Sequence, residues 1–217
     1  MIRFRIATFV GLSGLCIGAF ALPTMDYLGK GFGSNVKWTM DDGATHKSTF
    51  AGEMKLKLTT AEGIAEFIGY CVDATITVSN NTWGIQILDT DSLNPNGARI
   101  ANAVNTKAFQ VNNNAKATAL QLVIWELLYE TSGNFDITEG VFRATRTDGT
   151  QLSSTVINEA NTILALQGTS VAPYYLADLN GNTRSSQSFV APVPEPATLA
   201  ALGLFGLAAM ARRRRRA

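Results

Sequence analysis

The sequence predicts an α+β fold: a β-rich barrel or sandwich with an inserted helical part. Alternating apolar and polar residues dominate the first half of the chain, which is typical of half-buried strands. Apolar residues at spacings of three and four dominate the middle, which is typical of amphipathic helices. Strands that precede helices over about 170 residues favour one domain. We place that domain at residues 22–191, between terminal segments at 1–21 and 192–217.

Four extended segments are predicted, separated by turn residues such as Asp42-Gly43 and Asn80-Asn81. They are Val36–Met40, Met54–Leu58, Thr75–Val78 and a final piece at Gln187–Val190. The first three alternate in polarity, and Met54–Leu58 does so most clearly. The sequence therefore indicates a sheet whose strands lie mainly before the helices.

Three helices are predicted between these strands. They are a modest helix over Ala98–Ala108, a strong one over Ala117–Tyr129 and a third over Ser153–Leu166. The strongest has a broad apolar face, caps available at Asn112–Asn114, and Ser132-Gly133 after its end. The other two repeat small or aliphatic residues every three or four positions, so each is expected to bury one face.

Charge excludes several classes of function. The chain has 18 Lys and Arg against 17 Asp and Glu, but seven of the basic residues lie in the two terminal segments. Residues 22–196 therefore keep 11 basic and 17 acidic residues, a difference of −6. A mildly acidic domain has no electrostatic reason to bind nucleic acid. A single histidine also argues against a histidine-rich metal site or a histidine-based catalytic triad, and we predict no cofactor, no metal and no turnover enzyme.

Residues 1–21 have the pattern of a secretory signal peptide. Arg3 and Arg5 precede an uncharged apolar run, Ile6–Phe20, and Ala19-Phe20-Ala21 forms a small-x-small cleavage site. The apolar run is too short for an ordinary membrane span. We therefore predict export through the Sec machinery and removal of this segment by signal peptidase.

The C-terminal segment contains three elements in a fixed order. Pro194, Glu195 and Pro196 come first, then an apolar stretch at 197–211, then the arginines Arg212, Arg213 and Arg214, which continue to Arg216. This order closely resembles the PEP-CTERM sorting signal of Gram-negative bacteria. The resemblance implies recognition by an exosortase, with a short transmembrane helix as an inner-membrane anchor before processing. The processed protein is then expected at the cell surface or outside the cell. A plain single-pass tail anchor is the alternative.

The exported domain retains one cysteine, Cys71, because Cys16 lies in the signal segment. Exported proteins usually use cysteines in pairs, so a single one is buried, paired with another chain or committed to other chemistry. Tyr70-Cys71-Val72-Asp73 resembles the first signature of bacterial thioester domains. Leu120-Gln121-Leu122-Val123-Ile124-Trp125 resembles the second, fifty residues later. The resemblance covers roughly Trp38–Leu166.

This resemblance implies an internal thioester between Cys71 and Gln121. The bond would be shielded by Tyr70 and Trp125, with Asp73 orienting nearby groups, and an amine on a partner surface protein or matrix component would displace the thiol. The expected function is single-use covalent adhesion. Two alternatives stay open. One is a passive biofilm-matrix protein in which Cys71 is an ordinary buried residue and Gln121 caps its helix. The other is a glycan-binding module that uses Trp38, Trp83, Tyr174 and Tyr175.

Overall fold

The computed structural model describes residues 22–40, 48–177, 179–180 and 183–193. The predicted signal peptide and the sorting residues from Pro194 onward, including the predicted transmembrane helix, lie outside the described residues. Within the described ranges, no helix combines the length and the hydropathy that a membrane span requires.

The described residues contain nine strands and three α-helices. The strands are β1 Thr24–Thr39, β2 Thr49–Thr60, β3 Gly63–Cys71, β4 Trp83–Asp89, β5 Arg143–Arg146, β6 Pro173–Ala177, β7 Leu179–Asn180, β8 Thr183–Arg184 and β9 Phe189–Val190. The helices are α1 Gly97–Lys107, α2 Asn114–Tyr129 and α3 Ser154–Leu164. The predicted sheet-rich fold with a few helices is confirmed, with α1 and α2 between β4 and β5 and α3 between β5 and β6.

Six of the strands pair in a closed ring, as in a β-barrel. The order is β1-β2-β3-β9-β6-β4, and β4 pairs back onto β1, with every pairing antiparallel. β5 pairs with the far end of β1, and β7 with β8 forms a separate two-stranded sheet. β9 has only two residues, yet it closes the ring between β3 and β6. In a closed ring each strand has a neighbour on both sides, so the paired parts of these strands expose no free edge.

A bulge in β1 lets this long strand curve around the barrel. The register with β2 shifts between Lys30 and Gly33, and the Phe32 N–H donates to the buried carboxylate of Glu53 at 2.9 Å. The Glu53 side chain lies directly over Gly31, where an added Cβ would come within 2.7 Å of the Glu53 Cβ. Only glycine fits there, so the carboxylate can satisfy a backbone donor that the bulge leaves without a strand partner.

Helix α2 is the centre of the helical part. Its residues from Ala117 to Leu127 are buried without interruption, because α2 packs against β1 and β2 on the barrel side and against α1 and α3 on the other. The Asn113 side chain caps it by accepting from the Lys116 N–H at 3.0 Å, as the sequence predicted. The helix begins three residues before its predicted start, and its burial is wider than a one-sided apolar face implies.

The prediction of a strand at Thr75–Val78 is wrong. These residues are irregular: β3 ends before them at Cys71, and β4 begins after them at Trp83. Side chains bind the backbone on either side of the segment: Tyr129 Oη accepts from the Ala74 N–H at 3.1 Å, and Ser186 Oγ accepts from the Ser79 N–H at 3.0 Å. The alternation in the sequence instead reflects one wall of a cavity described below.

Near the end of α2, Glu126 is fully buried. One of its oxygens accepts from the Asp136 N–H at 2.7 Å, and the other has no hydrogen-bond partner among the described residues. Burial raises the pKa of Glu126 to about 8, with the Asp136 N–H opposing the rise and the nearby Glu130 and Asp136 charges adding to it. The folded protein therefore holds a proton that the unfolded chain releases near pH 4.5.

Because the folded state binds the extra proton, stability is expected to fall as the pH rises between about 4.5 and about 8. Glu126→Gln keeps the acceptor for Asp136 and removes the titration. Across this window, the free energy of unfolding in urea should fall with rising pH in the wild type. In Glu126→Gln it should fall less steeply, and we expect the two slopes to differ by about 1 kcal/mol per pH unit. Glu139→Gln changes an exposed carboxylate and serves as the control. Parallel pH profiles for the wild type and Glu126→Gln would contradict the prediction.

Candidate functional site

Cys71 is buried at the point where β3 ends against β9. It is the last residue of β3, pairs with Phe189 and is 1% exposed. The next residue, Val72, donates its N–H to the carbonyl of Ser188 at 3.0 Å. The strand pairing therefore brings the chain around Cys71 beside the segment that immediately precedes β9.

Gln121 contacts the backbone of Cys71. Its Oε1 accepts from the Cys71 N–H at 2.8 Å, and its Nε2 donates to the Cys71 carbonyl at 2.7 Å, both in the buried interior. The side-chain amide thus acts as the strand partner that Cys71 lacks on this side. The two sequence motifs do meet in the fold, but the contacts that join them fix the position of the cysteine backbone.

The sulfur itself contacts a different glutamine, Gln187. The Cys71 thiol donates to Gln187 Oε1 at 2.9 Å, and Gln187 Nε2 donates to the Asp73 carbonyl. Both side chains are buried, Gln187 being 3% exposed. A carbonyl bond is about 1.2 Å long, so the Gln187 carboxamide carbon lies within about 4 Å of the sulfur. This carbon is therefore close to attack distance for a sulfur nucleophile.

Sequence reasoning missed Gln187. The residue lies beyond Leu166, outside the region of the thioester-domain resemblance, and the sequence predicts it only as the start of an extended segment. One available signal was a glutamine two residues before the short apolar strand β9, in Ser186-Gln187-Ser188-Phe189. Its proximity to Cys71 depends on the pairing of β3 with β9, which no local pattern reveals.

The site disfavours a free thiolate. Burial, and secondarily the carboxylate of Asp73, raises the pKa of the Cys71 thiol well above its usual range. Tyr27 is half-buried, and burial followed by the charge of a Cys71 thiolate raises the pKa of its hydroxyl. At neutral pH both groups are therefore protonated, and the Cys71 sulfur bears a proton that it can pass on.

Tyr70 and Trp125, which were expected to shield the site, are both fully buried. The Tyr70 hydroxyl and the Trp125 indole nitrogen have no hydrogen-bond partner among the described residues. Burial, with a smaller effect of Glu53, raises the pKa of Tyr70. Trp125 packs edge-on against Phe142, with ring centroids 6.5 Å apart. Both rings thus belong to the apolar surroundings that keep water away from the interior.

The chain after Cys71 is anchored by its backbone. Tyr129 Oη donates to the Val72 carbonyl at 3.2 Å, and the Asp73 carbonyl accepts from Gln187. Asp73 thus contacts the candidate site through its backbone oxygen, and its carboxylate acts on the site by raising the pKa of Cys71. Among the described residues, no group of three His, Cys, Asp or Glu side chains is placed to hold a metal ion.

The aromatic residues considered for a glycan site are core residues. Trp38, Trp83, Tyr174 and Tyr175 are each at most 9% exposed. Trp83 packs near Phe189, with centroids 6.3 Å apart, and Tyr175 packs near Phe67 at 5.0 Å. A sugar platform needs exposed ring faces, so this alternative finds little support in the fold.

Comparison with known families adds one match. Residues 192–216 match the family model described as PEP-CTERM protein-sorting motif, which includes Pro194, Glu195, Pro196 and the arginines from Arg212 onward. No curated protein and no solved structure matches the chain. The chain thus carries, at its C-terminal end, the PEP-CTERM signal of an exported protein that stays membrane-anchored until exosortase processes it.

Proposed function

We propose that the exported domain forms an internal thioester at Cys71 and uses it once, to attach itself covalently to an amine on a partner surface or matrix component. We further propose that Gln187, rather than Gln121, supplies the acyl group. The observation that carries this is the 2.9 Å contact between the Cys71 sulfur and the Gln187 carboxamide. Under this proposal Gln121 is a positioning residue.

The arrangement supports this division of roles. If Gln121 gave up its nitrogen to form the thioester, the Cys71 carbonyl would lose the donor that now satisfies it at 2.7 Å. If Gln187 reacts, both backbone contacts of Cys71 survive, and the nitrogen that leaves is the one bound to the Asp73 carbonyl. The assignment of the acyl group to Gln121 stays a prediction, and the geometry favours Gln187.

Thioester formation is an acyl transfer that needs no oxidant or reductant. The sulfur of Cys71 forms a bond to the Gln187 carboxamide carbon, the carbon–nitrogen bond breaks, and the thiol proton goes to the leaving nitrogen, which departs as ammonia. A protonated thiol therefore brings the proton that the reaction needs.

Amine capture is the second step. A neutral primary amine attacks the thioester carbon, the sulfur–carbon bond breaks, and a proton from the amine returns the thiol. The product is an amide that joins the Gln187 carbonyl to the partner. Water would give a carboxylic acid instead, so exclusion of water preserves the reactive bond. Each molecule reacts once, which is the behaviour of a tether.

Intact mass of the purified exported domain tests the proposal. We expect a mass lower than that of the sequence by one ammonia, and addition of methylamine should shift it by one whole methylamine with release of a thiol. Cys71→Ala should abolish both effects. A full-mass protein that binds no methylamine, and whose Cys71 is labelled by maleimide after unfolding, would support the passive matrix alternative.

A further inference from the structure

A cavity of about 770 Å³ opens beside the candidate site. Gln187 lies on its wall, together with Tyr27, whereas Cys71 does not line it. The irregular segment Thr75–Val78 forms another side. A molecule in this cavity would therefore meet the carboxamide of Gln187 before it met the sulfur.

The described lining of the cavity is mixed, with apolar side chains, neutral polar side chains and one charged group. Trp38, Phe50 and Met54 contribute apolar surface, and Lys30 is the one charged side chain among the described residues that line it. The Lys30 ammonium lies 4.6 Å from the centroid of the Phe50 ring, which holds it at the wall. No described carboxylate forms an ion pair with Lys30. The described part of the cavity thus has apolar surface beside neutral polar groups, and a positive charge that is paired with no described carboxylate.

We propose that this cavity admits the nucleophile and selects primary amines carried on an apolar stem beside an anionic group, which Lys30 binds. The inference rests on the proposed function for its covalent step. A second lysine-type ammonium near Lys30 is repelled, whereas a carboxylate is attracted. The partner class is therefore a lysine-bearing segment with an acidic neighbour, and a purely basic segment is disfavoured.

Two probes that share the same amine and chain, one ending in an anionic group and the other in a neutral group, test the selection. The exported domain is treated with 6-aminohexanoate or with its neutral amide, 6-aminohexanamide, and adduct formation is followed by intact mass. We expect the acid to react roughly threefold to tenfold faster at low salt, and high salt to reduce the difference. Lys30→Gln should remove the preference and Lys30→Glu should reverse it. Lys55→Gln, at an exposed position of β2, is the matched control and should retain it.

A non-covalent arm separates failure of this inference from failure of the thioester. In Cys71→Ala, which forms no thioester, hexanoate should shift the backbone NMR signals around Lys30 and Phe50 more strongly than hexanamide, and Lys30→Gln should remove the difference. Equal binding of the two probes would overturn the inference, as would equal adduct rates in a protein that has lost one ammonia. Absence of the ammonia deficit together with selective hexanoate binding would overturn the proposed function alone.

Discussion

Methylamine captured by the exported domain is expected at residue 187. Fragmentation of the labelled protein should place one N-methylated glutamine in the peptide that contains Gln187 and leave Gln121 unmodified. The physical reason is that the Cys71 sulfur contacts the Gln187 carboxamide at 2.9 Å, while both ends of the Gln121 amide are engaged by the Cys71 backbone. The effect is all or none, since each chain carries one acyl group that can react.

Matched variants distinguish the two glutamines. Gln187→Glu replaces the leaving nitrogen by oxygen in nearly the same shape, and it should give a protein of full mass that captures no methylamine. Gln121→Glu, when its buried acid is protonated, can still accept from the Cys71 N–H and donate to the Cys71 carbonyl. At mildly acidic pH that variant should keep the ammonia deficit. Methylamine found at residue 121 would refute the role assigned to Gln187.

Gln121→Leu is expected to destabilise the fold severely. Leucine has similar bulk, but it leaves the N–H and the carbonyl of Cys71 unpaired in the interior, where both are now bonded within 2.8 Å. An unsatisfied buried group costs about 1–3 kcal/mol, so two of them should lower the unfolding free energy by about 4 kcal/mol. Such a loss is a large fraction of the stability of an ordinary domain. Urea unfolding followed by tryptophan fluorescence measures it.

The control is Gln110→Leu, an exposed glutamine whose Nε2 donates to the Thr106 carbonyl. We expect that change to alter the unfolding free energy by no more than about 0.5 kcal/mol. If Gln121→Leu changed the unfolding free energy as little as Gln110→Leu does, the Cys71 backbone would have other partners. That result would contradict the positioning role of Gln121.

The helices could be predicted from the sequence because their information is local. Asn113 caps α2 and Ser153 caps α3. After each cap, apolar residues recur at the spacing of a helix. The strands were harder. β1 spans 16 residues and contains glycines and a bulge that interrupt its alternation, so the sequence predicted only its last part. Thr75–Val78 alternates without a neighbouring strand to pair with, which shows that alternation reports one-sided burial rather than pairing.

The candidate site could be predicted only in part for a similar reason. Cys71 stands out because it is the single cysteine of residues 22–191, and Gln121 because its segment resembles the second thioester-domain signature. Gln187 is 116 residues from Cys71 along the chain, and it reaches the sulfur through the closure of the ring by β9. Contacts that depend on ring closure between distant strands leave no periodic trace in a sequence.

The position of β9 would have a mechanical consequence if the domain were attached both through residue 187, as proposed, and through its C-terminal segment. β9 is a two-residue strand, and the sorting motif begins two residues after it. Tension that enters from the C-terminal side therefore reaches β9 first, where few hydrogen bonds resist peeling. Amine capture breaks the bond between residues 71 and 187. A partner joined at residue 187 and an anchor beyond residue 192 would therefore pull on the short stretch of chain between them, which contains β9, and would leave the longer strands of the barrel outside the path of the force.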